Sequence, residues 1–243
     1  GRVYPYGALA SHLIGFTNQE GEGQYGLEGY FDKTLRGKDN FQQKERSPLG
    51  YLALFSDEKI ENFKGGDLYL TLDYNIQYFS EKVLQNAKEK WDIESGQIIV
   101  LEPSTGKIIA LANFPNFNPN QYSQEEDLGI FLNGALQKLF EPGSVFKPIT
   151  FAAGIQGGEI TPQTEYEDKG QVEVGGPPIY NFERRVWGWQ SMTDVLEESI
   201  NTGAVFVQQK LGKERFLKYL EKFGFFEKTG IDLQGEEFSG MKL

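Results

Sequence analysis

The sequence has 243 residues and a net charge of −11, from 24 Lys and Arg against 35 Asp and Glu. A surface of that sign repels phosphate backbones and anionic headgroups, which argues against nucleic acid as a partner. With no cysteine and one histidine, His12, neither a disulfide framework nor an ordinary nitrogen–sulfur metal site fits, and a histidine-dependent hydrolase is disfavoured.

Hydrophobic residues make up 39% of the chain and aromatics 14%, enough for a core in one large domain or two small ones. No run of about 18 apolar residues is present, so no membrane-spanning helix is expected. Gly1-Arg2-Val3 carries no signal-peptide pattern, which places any targeting segment upstream.

Residues 1–66 are rich in Gly and aromatics, with short alternating stretches, and read as a small β-rich region closed by Gly65-Gly66. Leu68–Leu72 reads as a strand, and Asp73 as the N-cap of a helix. In that helix Ile76, Phe79, Val83, Leu84, Ala87 and Trp91 fall near 3.6-residue spacing and are expected to face inward.

Gln97–Leu101 and Lys107–Ala112 flank Pro103-Ser104-Thr105-Gly106 and predict an antiparallel hairpin. The apolar arms suggest burial on both faces. A polar loop over 113–127 leads to Glu141-Pro142-Gly143-Ser144, where an apolar helix opens and runs to Gly157-Gly158. Pro148 is tolerated only near a first turn, which also places the helix start close to Ser144. Residues 158–190, with many Gly, Pro and charged residues, read as a surface excursion. Helices over roughly 192–211 and 213–223 follow, ended by Gly212 and Gly224. The fold class is therefore mixed: a β-rich N-terminal region, 1–66, then a helix-and-sheet domain, 67–243.

Ser144 and Lys147 stand three apart at a helix start, which puts both side chains on one face. A serine hydroxyl needs a base beside it, and a lysine made neutral by burial can serve. Helix-end amides and the positive end of the dipole suit a developing oxyanion. The pattern Ser-x-x-Lys is weak by itself, since it also occurs at Ser56, Ser104 and Ser239, but only Ser144 opens an apolar helix. The alternative is a plain helix cap with a solvated lysine. Ser199-Ile200-Asn201, 55 residues on, offers a second hydroxyl to relay a proton and an amide to hold a substrate or the lysine. Its plain alternative is a polar turn. Lys228-Thr229-Gly230 has no apolar strand before it and reads as a decoy of a Lys-Thr-Gly cleft strand.

Taken in order, these segments resemble the class B penicillin-binding proteins over nearly the whole chain. Arg2-Val3-Tyr4-Pro5 through Ser11-His12-Leu13-Ile14-Gly15 resembles that family's juncture after its membrane-proximal segment, and Gly26-Leu27-Glu28 with Leu35-Arg36-Gly37 resembles its pedestal, or dimerisation-type, region. Thr71-Leu72-Asp73 with Ile76-Gln77 resembles the entry to its transpeptidase domain. Glu141 through Pro148 resembles its nucleophile segment and Ser199-Ile200-Asn201 its second motif. Gly224 with Thr229 through Leu233 resembles a segment ahead of its third motif, which the chain does not reach.

The resemblance implies an antiparallel sheet with helices, like that of serine β-lactamases. It also implies a D,D-transpeptidase acting on the D-Ala-D-Ala end of peptidoglycan stem peptides. Ser144 would be the nucleophile, Lys147 the base, Ser199 the relay and Asn201 the positioning group, with no cofactor. β-Lactams would acylate Ser144, and cell-wall synthase or division proteins would be partners, with a septal role favoured. The compartment implied is the outer face of the bacterial cytoplasmic membrane, with an anchor helix upstream of Gly1. Rival readings are a β-lactamase or carboxypeptidase, and a non-catalytic β-lactam sensor or docking module.

Overall fold

The computed structural model describes residues 2–37 and 65–238. They fall into two compact units, one of Gly1–Lys138 with Gly230–Glu237 and one of Leu139–Thr229 with Phe238–Leu243. Among the described residues, no helix is long and apolar enough to cross a membrane.

The first unit opens with α1 (Ser11–Ile14), the paired strands β1 (Phe16–Thr17) and β2 (Gly23–Gln24), α2 (Gly26–Tyr30) and α3 (Asp32–Arg36). Two strands of two residues are thus what the described part of the expected β-rich region contains; residues 38–64, and with them the Ser56 motif, lie outside the described residues. The expected strand at Leu68–Leu72 is extended chain without a ladder. Its Thr71 hydroxyl donates to the Ile108 carbonyl at 2.5 Å, and the Asp73 amide donates to Ile109 at 2.9 Å.

Asp73 caps α4 (Tyr74–Trp91) by accepting from the Ile76 amide. The hairpin is β3 (Gly96–Glu102) with β4 (Lys107–Phe114), antiparallel, with a register shift between Val100 and Leu101. The helix face differs from the one expected. Gln77, Ser80 and Leu84 are buried, whereas Ile76, Phe79, Val83 and Trp91 are exposed. The reason is a hydrogen-bonded anchor. Gln77 donates through Nε2 to the Leu111 carbonyl at 3.0 Å and accepts the Leu111 amide at 2.8 Å, so one side chain satisfies both groups of an outer-edge residue of β4. Burial on both faces holds for Ala110–Asn113 of β4; on β3, Ile99 and Leu101 are exposed.

The expected polar loop, 113–127, carries a 3-10 turn over Pro119–Gln124; a second 3-10 turn, Leu128–Phe131, and α5 (Gly134–Gln137) follow it. Two apolar clusters close this unit, one around Ala10, Leu13 and Leu233, the other around Phe16, Phe117 and Phe131. His12 is buried beside the second, edge-on to Phe117, with Nε2 2.8 Å from the Ile130 carbonyl. Burial pushes its imidazole below the ordinary histidine range. The single histidine is a packed structural group.

The second unit holds α6 (Lys147–Gln156), β5 (Glu165–Asp168), β6 (Gln171–Val172), β7 (Ile179–Tyr180), β8 (Gly188–Ser191), α7 (Met192–Glu197), α8 (Asn201–Leu211) and α9 (Lys213–Lys222). The excursion read as surface is two nested antiparallel pairs, β5 with β8 and, inside them, β6 with β7. The expected helix over 192–211 is broken at Ser199, whose φ is +54°. Gly212 and Gly224, with φ of +80° and +81°, end α8 and α9 as expected. Phe151, Ile160, Tyr166, Met192, Val195, Ile200 and Val207 form the core of the unit.

Helices α6 and α8 cross closely at Gly154, where an added Cβ would stand 2.6 Å from Val207 Cγ1 and 3.1 Å from two Ile160 carbons. Gly154→Ala is expected to lower stability by about 1–3 kcal/mol through overpacking. Gln77→Leu, which keeps volume but orphans the Leu111 amide and carbonyl, is expected to cost about 2–4 kcal/mol. Denaturant unfolding midpoints check both, and a change in either within about 0.5 kcal/mol would contradict the packing described.

Candidate active site

Pro142 and Gly143, the latter at φ +61°, turn the chain into a 3-10 turn over Gly143–Phe146 that runs directly into α6. Nothing lies within 4 Å of where a Gly143 Cβ would be, so glycine is needed there for its backbone angle rather than for space. The α-helix proper thus begins at Lys147, three residues later than Ser144, with Pro148 in its first turn. Phe146 packs edge-on to Phe225 at 5.1 Å, which pins the turn. Ser144 is exposed while Lys147, on the same side of the turn, is buried.

Lys147 Nζ reaches three oxygens: the Ser199 carbonyl, Ser199 Oγ at 3.0 Å and Asn201 Oδ1 at 2.8 Å. The structure therefore brings three of the four sequence-derived residues into one hydrogen-bonded cluster, with Ser144 one turn away on the segment that carries Lys147. Burial pushes the Lys147 ammonium below the ordinary lysine range. Proton count then matters. An ammonium donates to all three acceptors, but a neutral amine has two hydrogens and a lone pair, and the Ser199 hydroxyl can turn to donate into it. Lys147 and Ser199 can therefore exchange a proton along a bond already formed.

Ser199 presents both its carbonyl and its hydroxyl to one amine from a left-handed backbone, a conformation that costs a non-glycine residue about 1 kcal/mol. The adjoining Ile200 is buried, and its amide donates to the Val195 carbonyl at 2.9 Å, closing α7 against the start of α8. Asn201 donates through Nδ2 to the Tyr180 carbonyl at 2.8 Å. With its NH2 committed there, its oxygen is the atom left for Lys147.

Behind this cluster lies a group that reading the sequence missed. Asp168 is buried and accepts from the Thr202 hydroxyl at 2.5 Å, the Trp187 amide at 2.8 Å, the Gly170 amide at 3.0 Å and, on both oxygens, Asn181 Nδ2. Burial pushes its carboxyl up, but these donors outweigh that and hold it below the usual carboxylate range. Asn181 Oδ1 in turn accepts the Thr202 amide at 3.1 Å. Because the Thr202 hydrogen goes to Asp168, Tyr166 is the donor in its 3.1 Å bond with Thr202, and burial pushes the Tyr166 phenol up to about 12. The only sequence signal was an Asp in a Gly- and Pro-rich stretch, indistinguishable there from a solvated acid.

Lys228-Thr229-Gly230 is irregular backbone with no strand, and Lys228 Nζ lies 5.5 Å over the Phe238 ring. Among the described residues no group of three or more His, Cys, Asp or Glu could hold a metal ion.

Residues 96–242 match the model of the penicillin-binding protein transpeptidase domain, and residues 1–70 that of the penicillin-binding protein dimerisation domain. Stage V sporulation protein D of Bacillus subtilis is 33% identical, aligned over 97% of this chain and 37% of that protein. The probable peptidoglycan D,D-transpeptidase PbpC of Pseudomonas aeruginosa is 32% identical over 97% of this chain and 41% of that protein. Among solved structures, penicillin-binding protein 3 of Mycobacterium tuberculosis superposes with a TM-score of 0.81 at 30% identity, covering 98% of this chain and 50% of that one. The same protein complexed with aztreonam also gives 0.81. The chain thus spans less than half the length of these two relatives. The Ser144 turn, the second motif and the two family models together place it in one family: the chain belongs to the class B penicillin-binding proteins.

Proposed function

We propose that the protein is a serine D,D-transpeptidase that cross-links peptidoglycan stem peptides. The observation that carries this reading is the convergence of Ser199 Oγ and Asn201 Oδ1 on the buried Lys147 amine, one turn from the exposed Ser144. Relatives named as peptidoglycan D,D-transpeptidases support it.

In the acylation half, Ser144 Oγ attacks the carbonyl of the penultimate D-Ala while its proton passes to neutral Lys147. In this scheme an amide of the Ser144 turn stabilises the developing oxyanion. Collapse breaks the carbon–nitrogen bond to the terminal D-Ala, and the leaving nitrogen takes a proton from Ser199, which Lys147 reprotonates. An ester on Ser144 remains. In the second half an amine from another stem attacks that ester and loses a proton to Lys147, which passes it to Ser144 Oγ as the ester carbon–oxygen bond breaks and the new amide forms. Asn201, fixed through Tyr180, holds Lys147 in line. No cofactor enters the scheme. A β-lactam would follow the first half and stop there, because its leaving group stays tethered.

Residues 1–66 then form the end of a dimerisation-type pedestal and 67–243 the N-terminal portion of the transpeptidase domain, a division supported by the matches at 1–70 and 96–242. The substrate places the protein outside the cytoplasmic membrane, with an anchor helix upstream and cell-wall synthase or division proteins as partners. A septal role is favoured.

The test is intact-mass measurement of the chain after incubation with a penicillin, alongside Ser144→Ala. A single adduct lost in the Ala variant is the expected result, and an adduct that survives Ser144→Ala would overturn the nucleophile. No adduct on the folded chain would overturn acylation by this chain alone. The pH profile has a defined sign. The neutral amine is the active form, and burial lowers its pKa, so acylation should rise with pH and level off before the ordinary lysine range. Measured between about pH 6 and pH 10, a flat rate would remove Lys147 as the base.

A further inference from the structure

The second motif does not hold itself in place. Ser199 occupies a left-handed backbone, and α8, which begins at Asn201, has no side-chain cap on its first turn. What fixes that turn arrives from the nested strands. Asp168 stands at the end of β5, where its carboxylate binds the Gly170 amide of the next turn and the Trp187 amide just ahead of β8. It then grips the first turn of α8 twice. Thr202 Oγ1 donates to it directly, and Asn181, oriented by it through Nδ2, accepts the Thr202 amide. Tyr180, adjacent to Asn181, supplies the carbonyl that aims Asn201.

A buried carboxylate whose partners among the described residues are all uncharged is a costly group to keep. The position of Thr202 beside Asn201 shows what these bonds align. We infer that Asp168 is a positioning residue for the proposed acyl transfer: acting through Thr202 and Asn181, it sets where Asn201 and Ser199 present their oxygens to Lys147. Thr202 is the first link of that path. The inference rests on the acyl-transfer reading for its kinetic consequence, but not for its geometric one.

The test uses the full chain with Thr202→Val, Thr202→Ser and Asp168→Asn. Penicillin acylation is followed by intact mass over a range of concentrations, to separate the limiting rate from the half-saturating concentration, and folding is followed by circular dichroism. Thr202→Val removes the hydroxyl at nearly constant shape. It is expected to lower the limiting rate about 10- to 100-fold with the half-saturating concentration unchanged, as a small misplacement of catalytic groups does. Thr202→Ser keeps the hydroxyl and is expected to restore the rate. Asp168→Asn is expected to match or exceed the Val variant, and if it does not fold, the Thr202 pair decides alone. The geometric consequence is read by NMR as the Lys147 13Cε resonance at constant pH, which should move in Thr202→Val and return in Thr202→Ser. A wild-type limiting rate in folded Thr202→Val, or a loss that only tracks the unfolded fraction, would overturn the inference. If the unsubstituted chain forms no Ser144 adduct, acylation by this chain alone is overturned. An unmoved Lys147 resonance then overturns the positioning claim separately.

Discussion

The second unit is organised around one electrostatic constraint: the Asp168 carboxylate is out of water, and its partners among the described residues carry no opposite charge. Such a group is tolerable only when its lone pairs are taken up by well-placed donors. Here the donors come from five separate points of the chain: Gly170, Asn181, Trp187 and Thr202 directly, and Tyr166 through the Thr202 hydroxyl. Satisfying the carboxylate therefore draws the nested strands and the start of α8 into one arrangement. On the inference drawn above, the Lys147 cluster inherits its geometry from that requirement, since Asn201 and Thr202 are neighbours on the same turn.

Lysine in such a site is under two opposed demands. Desolvation favours the neutral amine, while Ser199 and Asn201 offer oxygens that favour the ammonium. The Ser199 hydroxyl resolves the conflict because it can accept from one form and donate to the other. Asn201 cannot reverse in the same way, as its NH2 is held by the Tyr180 carbonyl. One neighbour of Lys147 is thus adaptable and the other fixed, which keeps the amine in place while its charge changes.

Much of this was legible in the sequence. The caps and breakers marked α4, the hairpin and the ends of α8 and α9, because Asp, Pro and Gly act through local backbone geometry. Ser144, Lys147, Ser199 and Asn201 were singled out by spacing and context, and the structure gathers the last three. The apolar stripe of α4 was read correctly as one face, but periodicity states only which residues share a side. It was the Gln77 anchor on Leu111 that turned one flank of that stripe inward, burying Leu84 beside Gln77 and Ser80 and leaving Ile76, Phe79 and Val83 exposed. The break at Ser199 was hidden because a left-handed serine is stabilised by partners distant in the chain. Asp168 was invisible for the same reason: an acid among glycines and prolines looks solvated until the fold supplies its donors.

The left-handed backbone of Ser199 has a consequence for which residues the position can hold. Glycine would relieve about 1 kcal/mol of backbone strain in the turn, since it visits positive φ freely. It would also delete the hydroxyl bonded to Lys147. Relief of that strain and retention of the proposed proton path therefore point to different residues at position 199. Selection for the first alone would erase the second, so a serine at this angle marks a place where the molecule carries backbone strain for the sake of a hydroxyl.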